Sequence, residues 1–289
     1  MTPQRALITG GNNGIGYETA LALATTGTEV VLAGRDEAKL HTAAAKIREQ
    51  LPTAQVDTLH LDLADLASVK TAAQALLATG RPLDLLINNA GVMAVPDRRL
   101  TADGFELTFG TNHLGHFALT GHLLPALTAA KTARVITVSA KVSRTKNATL
   151  DDPLSENSYS GMAAYTKSKL ANVVFTVELA RRTRNVLTAV AVHPGTSATG
   201  LQQHTPKVLQ ALTSVLLDRL VGQSPSEAAR PSLYAATVPG VKSGSFIVPK
   251  GRAELRGEPG EAELPPAATN PATGQRLWKL SESLTNVHY

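Results

Sequence analysis

A glycine-rich turn near the start of the chain constrains the fold more than any other stretch. The sequence Thr9-Gly-Gly-Asn-Asn-Gly-Ile-Gly16 follows an apolar run at residues 6–8, which is typical of a buried strand. It precedes residues 17–24, whose composition is typical of a helix. A strand, a glycine turn and a helix in this order are the context of a dinucleotide-binding fingerprint. The turn therefore predicts a nucleotide site at the beginning of an α/β fold.

Each glycine of this turn removes a steric obstacle. Gly10 permits a sharp turn, Gly14 lets the backbone approach a pyrophosphate, and Gly16 lets the helix pack close to its strand. The first N–H groups of the helix and the positive end of its dipole would then face the phosphates. We therefore expect cofactor contacts from Gly10, Asn12, Asn13, Gly14, Ile15 and Gly16.

Short apolar runs alternate with longer helical segments along the rest of the chain. The predicted strands are residues 5–9, 30–33, 56–61, 83–88, 134–139, 187–193 and 245–248. The segments between them, such as 36–50 and 66–78, are rich in Ala and Leu and carry charges at helical spacing. This alternation predicts a doubly wound, Rossmann-type α/β fold, with a parallel sheet of about seven strands and helices on both faces.

The chain has 289 residues, and we expect one domain over residues 1–289, because α/β folds of this length often stay one unit. Apolar residues at helical spacing within about 197–224 predict either a helix packed on the core or a lid over an apolar substrate. An extended C-terminal segment covers about 249–289. Its first part, residues 249–271, is rich in Gly, Pro and Glu and predicts an irregular path before a last helix near residues 275–283.

Composition narrows the classes of partner. The formal net charge is +5, but the basic residues are scattered, so we expect a small-molecule substrate and no nucleic acid. There is no cysteine, which excludes a thiolate metal site and suits a cytoplasmic location; we predict no metal. The first strand starts at once, and residues 107–130 contain Asn, His and Pro, so we expect no membrane anchor. We expect a homodimer or a homotetramer.

Further cofactor contacts are expected where the second, third and fourth strands end, because ligands bind at the carboxyl ends of such strands. An acidic residue directly after the second strand would bond the 2′-OH of NAD, but Gly34 and Arg35 stand there. The guanidinium of Arg35 suits a phosphate, which predicts NADP(H). Asp36 fits a helix N-cap, and Asp62 either bonds an adenine amino group or caps the helix near Asp65. Leu63, Asn89, Ala90 and Gly91 complete this edge.

Tyr165 and Lys169 are four residues apart on a predicted helix and so share one face. An ammonium near a phenol lowers the pKa of that phenol, as a general acid near neutrality requires. The turn Pro194-Gly195-Thr196 closes the sixth strand, where its backbone could meet a nicotinamide edge. The side chains of Thr196 and Thr199 could bond the nicotinamide amide or the phosphates.

Taken together and in this order, the motifs resemble the short-chain dehydrogenase/reductase family over nearly the whole chain. The segments that resemble its retinol-dehydrogenase-like branch, of the soluble bacterial type, are Ala33-Gly34-Arg35-Asp36, Ser168-Lys169-Leu170-Ala171-Asn172 and Arg276-Leu277-Trp278-Lys279-Leu280-Ser281. The resemblance implies hydride transfer between NADP(H) and a carbonyl or alcohol of a small, apolar molecule. It implies that Tyr165 is the proton donor and that Lys169 holds the ribose and lowers the pKa of Tyr165. Asn112 would order a water that resupplies protons.

One position departs from the family pattern. The family's catalytic serine is usually the second residue of a Ser-Ser pair, and here the pair reads Ser139-Ala140. Ser143 is the first candidate for a replacement hydroxyl, and Ser139 is the second, if a bulge turns it inward. Two alternatives stay open: a C=C reductase or other tailoring enzyme that needs no serine, and an NADP-binding sensor or scaffold without turnover.

Overall fold

The computed structural model describes residues 3–146, 148–195 and 223–289, and in these ranges eight strands form one sheet. The strands are β1 (Arg5–Thr9), β2 (Glu29–Gly34), β3 (Val56–His60), β4 (Leu85–Asn88), β5 (Arg134–Val138), β6 (Thr188–Val192), β7 (Phe246–Pro249) and β8 (Pro259–Ala262). Their spatial order is β3-β2-β1-β4-β5-β6-β7-β8. The first seven strands are parallel, and β8 is antiparallel to β7. The predicted doubly wound fold is confirmed, with one additional strand.

Helices connect the strands and cover both faces of the sheet. They are α1 (Gly14–Thr25), α2 (Glu37–Gln50), α3 (Leu66–Leu77), α4 (Leu107–Phe109), α5 (Gly115–Thr128), α6 (Gly161–Arg182), α7 (Pro225–Thr237), α8 (Pro266–Thr269) and α9 (Pro271–Thr285). A π-turn, Gly110–Leu114, joins α4 to α5, and a 3-10 turn, Lys141–Arg144, follows β5. None of the helices in the described ranges is sufficiently long and apolar to cross a bilayer.

The strands other than the edge strands β3 and β8 are mostly apolar because they are buried on both faces. Ala6 and Ile8 of β1 belong to the cluster beneath α1, α2 and α7, whereas Leu7 between them belongs to the cluster beneath α3 and α5. Alternate residues of a strand point to opposite faces, so both faces need apolar side chains. A sheet enclosed in this way leaves the carboxyl ends of its strands as the natural place for a site.

The C-terminal segment differs in part from its predicted irregular path. Strand β8 lies inside it, yet its sequence Pro-Gly-Glu-Ala has no β-branched or aromatic residue that would indicate a strand. Its pairing with β7 is therefore a tertiary effect. The predicted last helix is present as α9, whose Trp278 stacks near Phe175, with ring centroids 5.9 Å apart, and contacts Tyr289 at 4.8 Å.

Candidate active site

A cavity of about 460 Å³ lies at the carboxyl ends of β1, β2, β3 and β4. The predicted cofactor residues that line it are Gly10, Asn12, Asn13, Gly14, Ile15, Gly16, Arg35, Asp62, Leu63, Asn89, Ala90 and Gly91. They come from four separate loops, which the parallel sheet brings to one edge. Small residues of the glycine turn and three cations, Arg35, Lys39 and Arg99, are among the residues that line the cavity.

The glycine turn forms the floor of this cavity. Gly10 and Gly14 have φ angles of +66° and +51°, and a Cβ on Gly16 would lie 2.3 Å from the Gly10 carbonyl oxygen. Only glycine fits a position where helix and strand approach so closely. Asn13, the N-cap of α1, makes no side-chain bond to the helix, so the first N–H groups of α1 remain open toward the cavity. This cradle fits the pyrophosphate of a dinucleotide.

The turn is tied to the end of β4 by hydrogen bonds. The Thr9 hydroxyl oxygen accepts the backbone N–H groups of Asn89 and Ala90, both at 2.9 Å. The side-chain amide of Asn89 donates to the Thr9 carbonyl at 2.8 Å. The two glycine-rich strand ends therefore form one rigid wall, although 80 residues separate Thr9 from Asn89 in the chain.

Two cations that the sequence reasoning missed also line the cavity, Lys39 and Arg99. The Lys39 ammonium lies 2.9 Å from the Asp36 carboxylate. The backbone N–H of Lys39 also donates to this carboxylate, at 3.1 Å, which confirms Asp36 as the N-cap of α2. Lys39 lies on the first turn of α2, three residues after Asp36 and four after Arg35. This helical spacing is a sequence signal that predicts Lys39 near Arg35. No sequence signal indicated Arg99, which approaches from a distant loop.

Of the two predicted roles of Asp62, the structure excludes that of the helix cap, and the contact to an adenine amino group stays a prediction. The cap of α3 is Asp65, whose carboxylate accepts the N–H groups of Ala67 and Ser68. Asp62 instead accepts the Ala64 N–H at 2.9 Å and lines the cavity. Capping is therefore the role of Asp65, and Asp62 is left facing the nucleotide cavity.

Tyr165 and Lys169 share one face of α6, and both are buried, with 7% and 3% of their surface exposed. The Lys169 ammonium donates to the Val138 carbonyl at 3.0 Å and lies 5.7 Å from the centroid of the Tyr165 ring. Burial lowers the pKa of Lys169 to about 8 and raises the pKa of Tyr165 far above its usual range. The pKa of Tyr165 is raised because burial desolvates the phenolate, and the expected lowering of this pKa by Lys169 stays a prediction.

Asn112 lies in the π-turn and is fully buried. Its amide oxygen accepts the Val92 N–H at 2.8 Å, and its amide nitrogen donates to the Val92 carbonyl and to the Ser168 hydroxyl, both at 2.9 Å. A Cβ on Gly91 would lie 3.0 Å from the Asn112 amide oxygen and 3.5 Å from the Lys169 ammonium. The wall of the nucleotide cavity therefore meets Asn112 and Lys169 at Gly91.

The two candidate serines have different environments. The backbone N–H of Ser139 donates to the Val192 carbonyl and so extends the pairing of β5 with β6. The Ser139 hydroxyl donates to the Lys169 carbonyl at 2.7 Å. This bond leaves Ser139 without a free proton for a substrate oxygen. The Ser143 hydroxyl is buried in the 3-10 turn and has no hydrogen-bond partner among the described residues. Ala140 is partly exposed between them.

The turn after β6 lies outside the cavity that the cofactor loops form. Gly195 has a φ of +84°, and a Cβ there would lie 2.4 Å from the Leu255 carbonyl oxygen. The Pro194 carbonyl accepts a bond from the Gln223 side chain. The loop of residues 251–257, which the sequence reasoning missed, thus packs on this turn. Thr196, Thr199 and residues 197–222 of the lid predicted at 197–224 lie outside the described residues. The described parts of the chain contain no cluster of His, Asp and Glu able to hold a metal.

Comparisons with known proteins agree with this geometry. Residues 4–209 match the family model for short chain dehydrogenases. The chain is 37% identical to retinol dehydrogenase 14 of Mus musculus, over 99% of this chain and 87% of that protein. Among solved structures, an uncharacterized protein from Mycobacterium paratuberculosis is 38% identical, with a TM-score of 0.80 over 99% of this chain and 94% of that one.

A more distant solved structure shares the fold. It is a short chain dehydrogenase from Escherichia coli complexed with NADPH, 24% identical, with a TM-score of 0.68 over 84% of this chain and 95% of that one. The match to the family model covers well over half of the chain, and the relatives match almost all of it. The chain therefore belongs to the short chain dehydrogenase family, whose members are oxidoreductases that use nicotinamide cofactors.

Proposed function

We propose that the protein transfers hydride between NADP(H) and a carbonyl or alcohol of a small, apolar molecule. One observation carries this proposal: Gly91, which lines the nucleotide cavity, lies beside the buried side chains of Asn112 and Lys169. A cofactor held along the glycine turn would have its reactive end directed toward these groups. The similarity to retinol dehydrogenases supports an apolar alcohol or aldehyde as the substrate class.

The residues of the chain then have separate roles. When bound, the nicotinamide supplies or accepts the hydride. The neutral, buried Tyr165 holds its proton and would give it to the substrate oxygen. Because burial raises the pKa of this phenol, the transfer would depend on the neighbouring Lys169 ammonium to stabilise the phenolate. Lys169 would hold the ribose, and its ammonium would favour loss of the Tyr165 proton once the hydride has arrived. Asn112 has both amide N–H groups in use, so its side chain would position the neighbouring backbone.

We also propose that NADP(H) is preferred over NAD(H). Arg35 and Lys39 line the cavity at the end of β2, and Asp36 lies between them in the chain but pairs with Lys39. Two cations at this place suit a 2′-phosphate. The glycine at position 34 leaves no carboxylate directly after the strand to repel it. Pro194 and Gly195 would meet the nicotinamide edge, and Thr196 and Thr199 remain predictions.

A second candidate reaction is favoured by a specific observation. The hydroxyl of Ser139 is engaged by the Lys169 carbonyl, and Ala140 has no hydroxyl, so a donor to a ketone oxygen is missing at the family's usual position. Reduction of a conjugated C=C bond would need this donor less. An Ala140→Ser variant that gains activity on plain ketones, and not on enones, would favour carbonyl reduction, because the added hydroxyl would then donate to the ketone oxygen.

The proposal is tested by consumption of NADPH with a panel of apolar ketones, aldehydes and enones. Tyr165→Phe should keep the fold and NADPH affinity but lower kcat by about 100-fold or more, the usual contribution of a general acid. Tyr159→Phe is the matched control, because Tyr159 donates to the Val95 carbonyl outside the site. NADPH binding without turnover on every compound would point to the sensor or scaffold. A cytoplasmic location and a homodimer or homotetramer also remain our proposals.

A further inference from the structure

A buried histidine, His116 on α5, connects the glycine turn of the nucleotide cavity with the π-turn that carries Asn112. It is 1% exposed, and both of its ring nitrogens have partners. Nδ1 lies 2.9 Å from the carbonyl oxygen of Asn112, and Nε2 lies 2.9 Å from the hydroxyl oxygen of Thr9. Thr9 belongs to the glycine turn, and Asn112 belongs to the π-turn. His116 is therefore placed between the nucleotide cradle and the buried Asn112–Lys169 pair.

The partners of His116 determine where its proton is. A backbone carbonyl can only accept, so Nδ1 must donate to Asn112. Burial lowers the pKa of His116 to about 4, so the ring is neutral and Nε2 must be an acceptor. The hydroxyl of Thr9 then donates to Nε2 while its oxygen accepts the N–H groups of Asn89 and Ala90. The other acceptor for this hydroxyl, the Ile87 carbonyl, is farther away, at 3.3 Å.

The resulting chain of bonds runs in one direction. It begins at the N–H groups of Asn89 and Ala90, passes through Thr9 and His116, and ends at the Asn112 carbonyl. Asn89 and Ala90 line the nucleotide cavity, and Asn112 holds Val92 and Ser168 by its side chain. A π-turn departs from the regular helical ladder, and such turns are frequent at functional sites. A side chain that bonds the backbone there can hold the turn in one arrangement.

We propose that His116 is a positioning residue that couples the nucleotide cradle to Asn112. Its Nε2 side sets the hydrogen bonding of Thr9 and so the shape of the cavity wall at Asn89 and Ala90. Its Nδ1 side holds the π-turn and so the placement of Asn112 beside Lys169. The catalytic part of this inference rests on the proposed function, whereas the part that concerns the cavity wall does not.

Two substitutions separate the sides of the ring. The amide of asparagine reaches about as far as Nδ1, and the amide of glutamine reaches about as far as Nε2. His116→Asn therefore keeps a donor for the Asn112 carbonyl, and His116→Gln keeps an acceptor for the Thr9 hydroxyl. His116→Phe keeps the ring volume and loses both bonds. Thr120→Val is the control, because Thr120 is buried on the same helix and bonds Asn88 and the His116 carbonyl.

The experiment measures three quantities for each variant: the Kd of NADPH by calorimetry, the kcat, and the Tm. The kcat is measured on a carbonyl compound of the panel that the wild-type protein reduces. We expect His116→Gln to keep its Kd within about threefold and to lose about tenfold in kcat, since one buried bond is worth about this factor. His116→Asn should show the opposite pattern, with Kd raised about tenfold and kcat retained. Thr120→Val should lower Tm without changing either quantity.

Three results would overturn the inference. The first is a parallel change of Kd and kcat in the Asn and Gln variants that follows Tm, as a purely structural residue would give. The second is wild-type behaviour of both variants. The third is the reversed pattern. If the wild-type protein turns over none of the compounds, the proposed function fails, but the Kd measurements on the two variants still decide whether His116 shapes the cavity wall.

Discussion

Lys169→Met tests whether burial of the Lys169 ammonium lowers the free energy of unfolding of the protein. The side chain is 3% exposed, and among the described residues its Nζ donates one hydrogen bond, to the Val138 carbonyl. That carbonyl also accepts the Asn172 amide at 3.1 Å, so it stays paired when the ammonium is removed. Methionine has a similar length and no charge, so the variant removes the desolvated cation with little change in volume.

The magnitude follows from the two pKa values of the lysine. Burial lowers the pKa from 10.5 to about 8 in the folded protein, and each pH unit corresponds to about 1.4 kcal/mol. The charged form therefore costs about 3 kcal/mol of folding free energy at pH 7. Between pH 8 and 10.5 the unfolded chain binds more protons than the folded one, so the free energy of unfolding of the wild type rises with pH in this window. From pH 7 to 9.5 the rise is about 2 kcal/mol.

Urea unfolding at pH 7 and pH 9.5 measures this effect directly. Lys169→Met should be more stable than the wild type by about 3 kcal/mol at pH 7 and by about 1 kcal/mol at pH 9.5, while losing turnover. Lys167→Met is the control, because Lys167 lies on the same helix and has an acidic partner, Asp152, at 3.8 Å. A Met variant that is less stable at pH 7, or a difference that does not change with pH, would refute the desolvation argument.

Four further substitutions address the cofactor preference, the glycine turn and the two candidate serines. Arg35→Asp should weaken NADPH binding about 10- to 100-fold in a fluorescence titration and leave NADH nearly unchanged, because a charge-assisted phosphate contact is lost; equal wild-type affinities for both cofactors would contradict this. Gly16→Ala places a Cβ 2.3 Å from the Gly10 carbonyl oxygen, so thermal unfolding should show a loss of about 1–3 kcal/mol together with weaker NADPH binding. Ser143→Ala should lower turnover sharply with unchanged NADPH affinity, whereas Ser139→Ala should not; if neither variant changes turnover, the reaction uses no serine donor.

The sequence by itself determined the elements whose signals are local. The strand, glycine turn and helix at residues 5–25 were predictable because a few adjacent residues set the backbone there. The pair Tyr165 and Lys169 was predictable because a helical spacing of four places two side chains on one face. The parallel order of the sheet followed from the alternation of apolar runs and helices, since buried parallel strands need helical crossovers.

Tertiary structure decided what depends on residues far apart in the chain. Strand β8 exists only because β7 offers it an edge, and Arg99 lines the cavity only because the fold brings its loop to the residues that follow β1, β2 and β3. The proton of Ser139 is engaged because α6 brings the Lys169 carbonyl to 2.7 Å. The pKa of Tyr165 rises because packing removes water from the phenol, and His116 has partners on two different elements. Burial and long-range hydrogen bonds depend on residues that come together only in the folded chain, so the local sequence does not predict them.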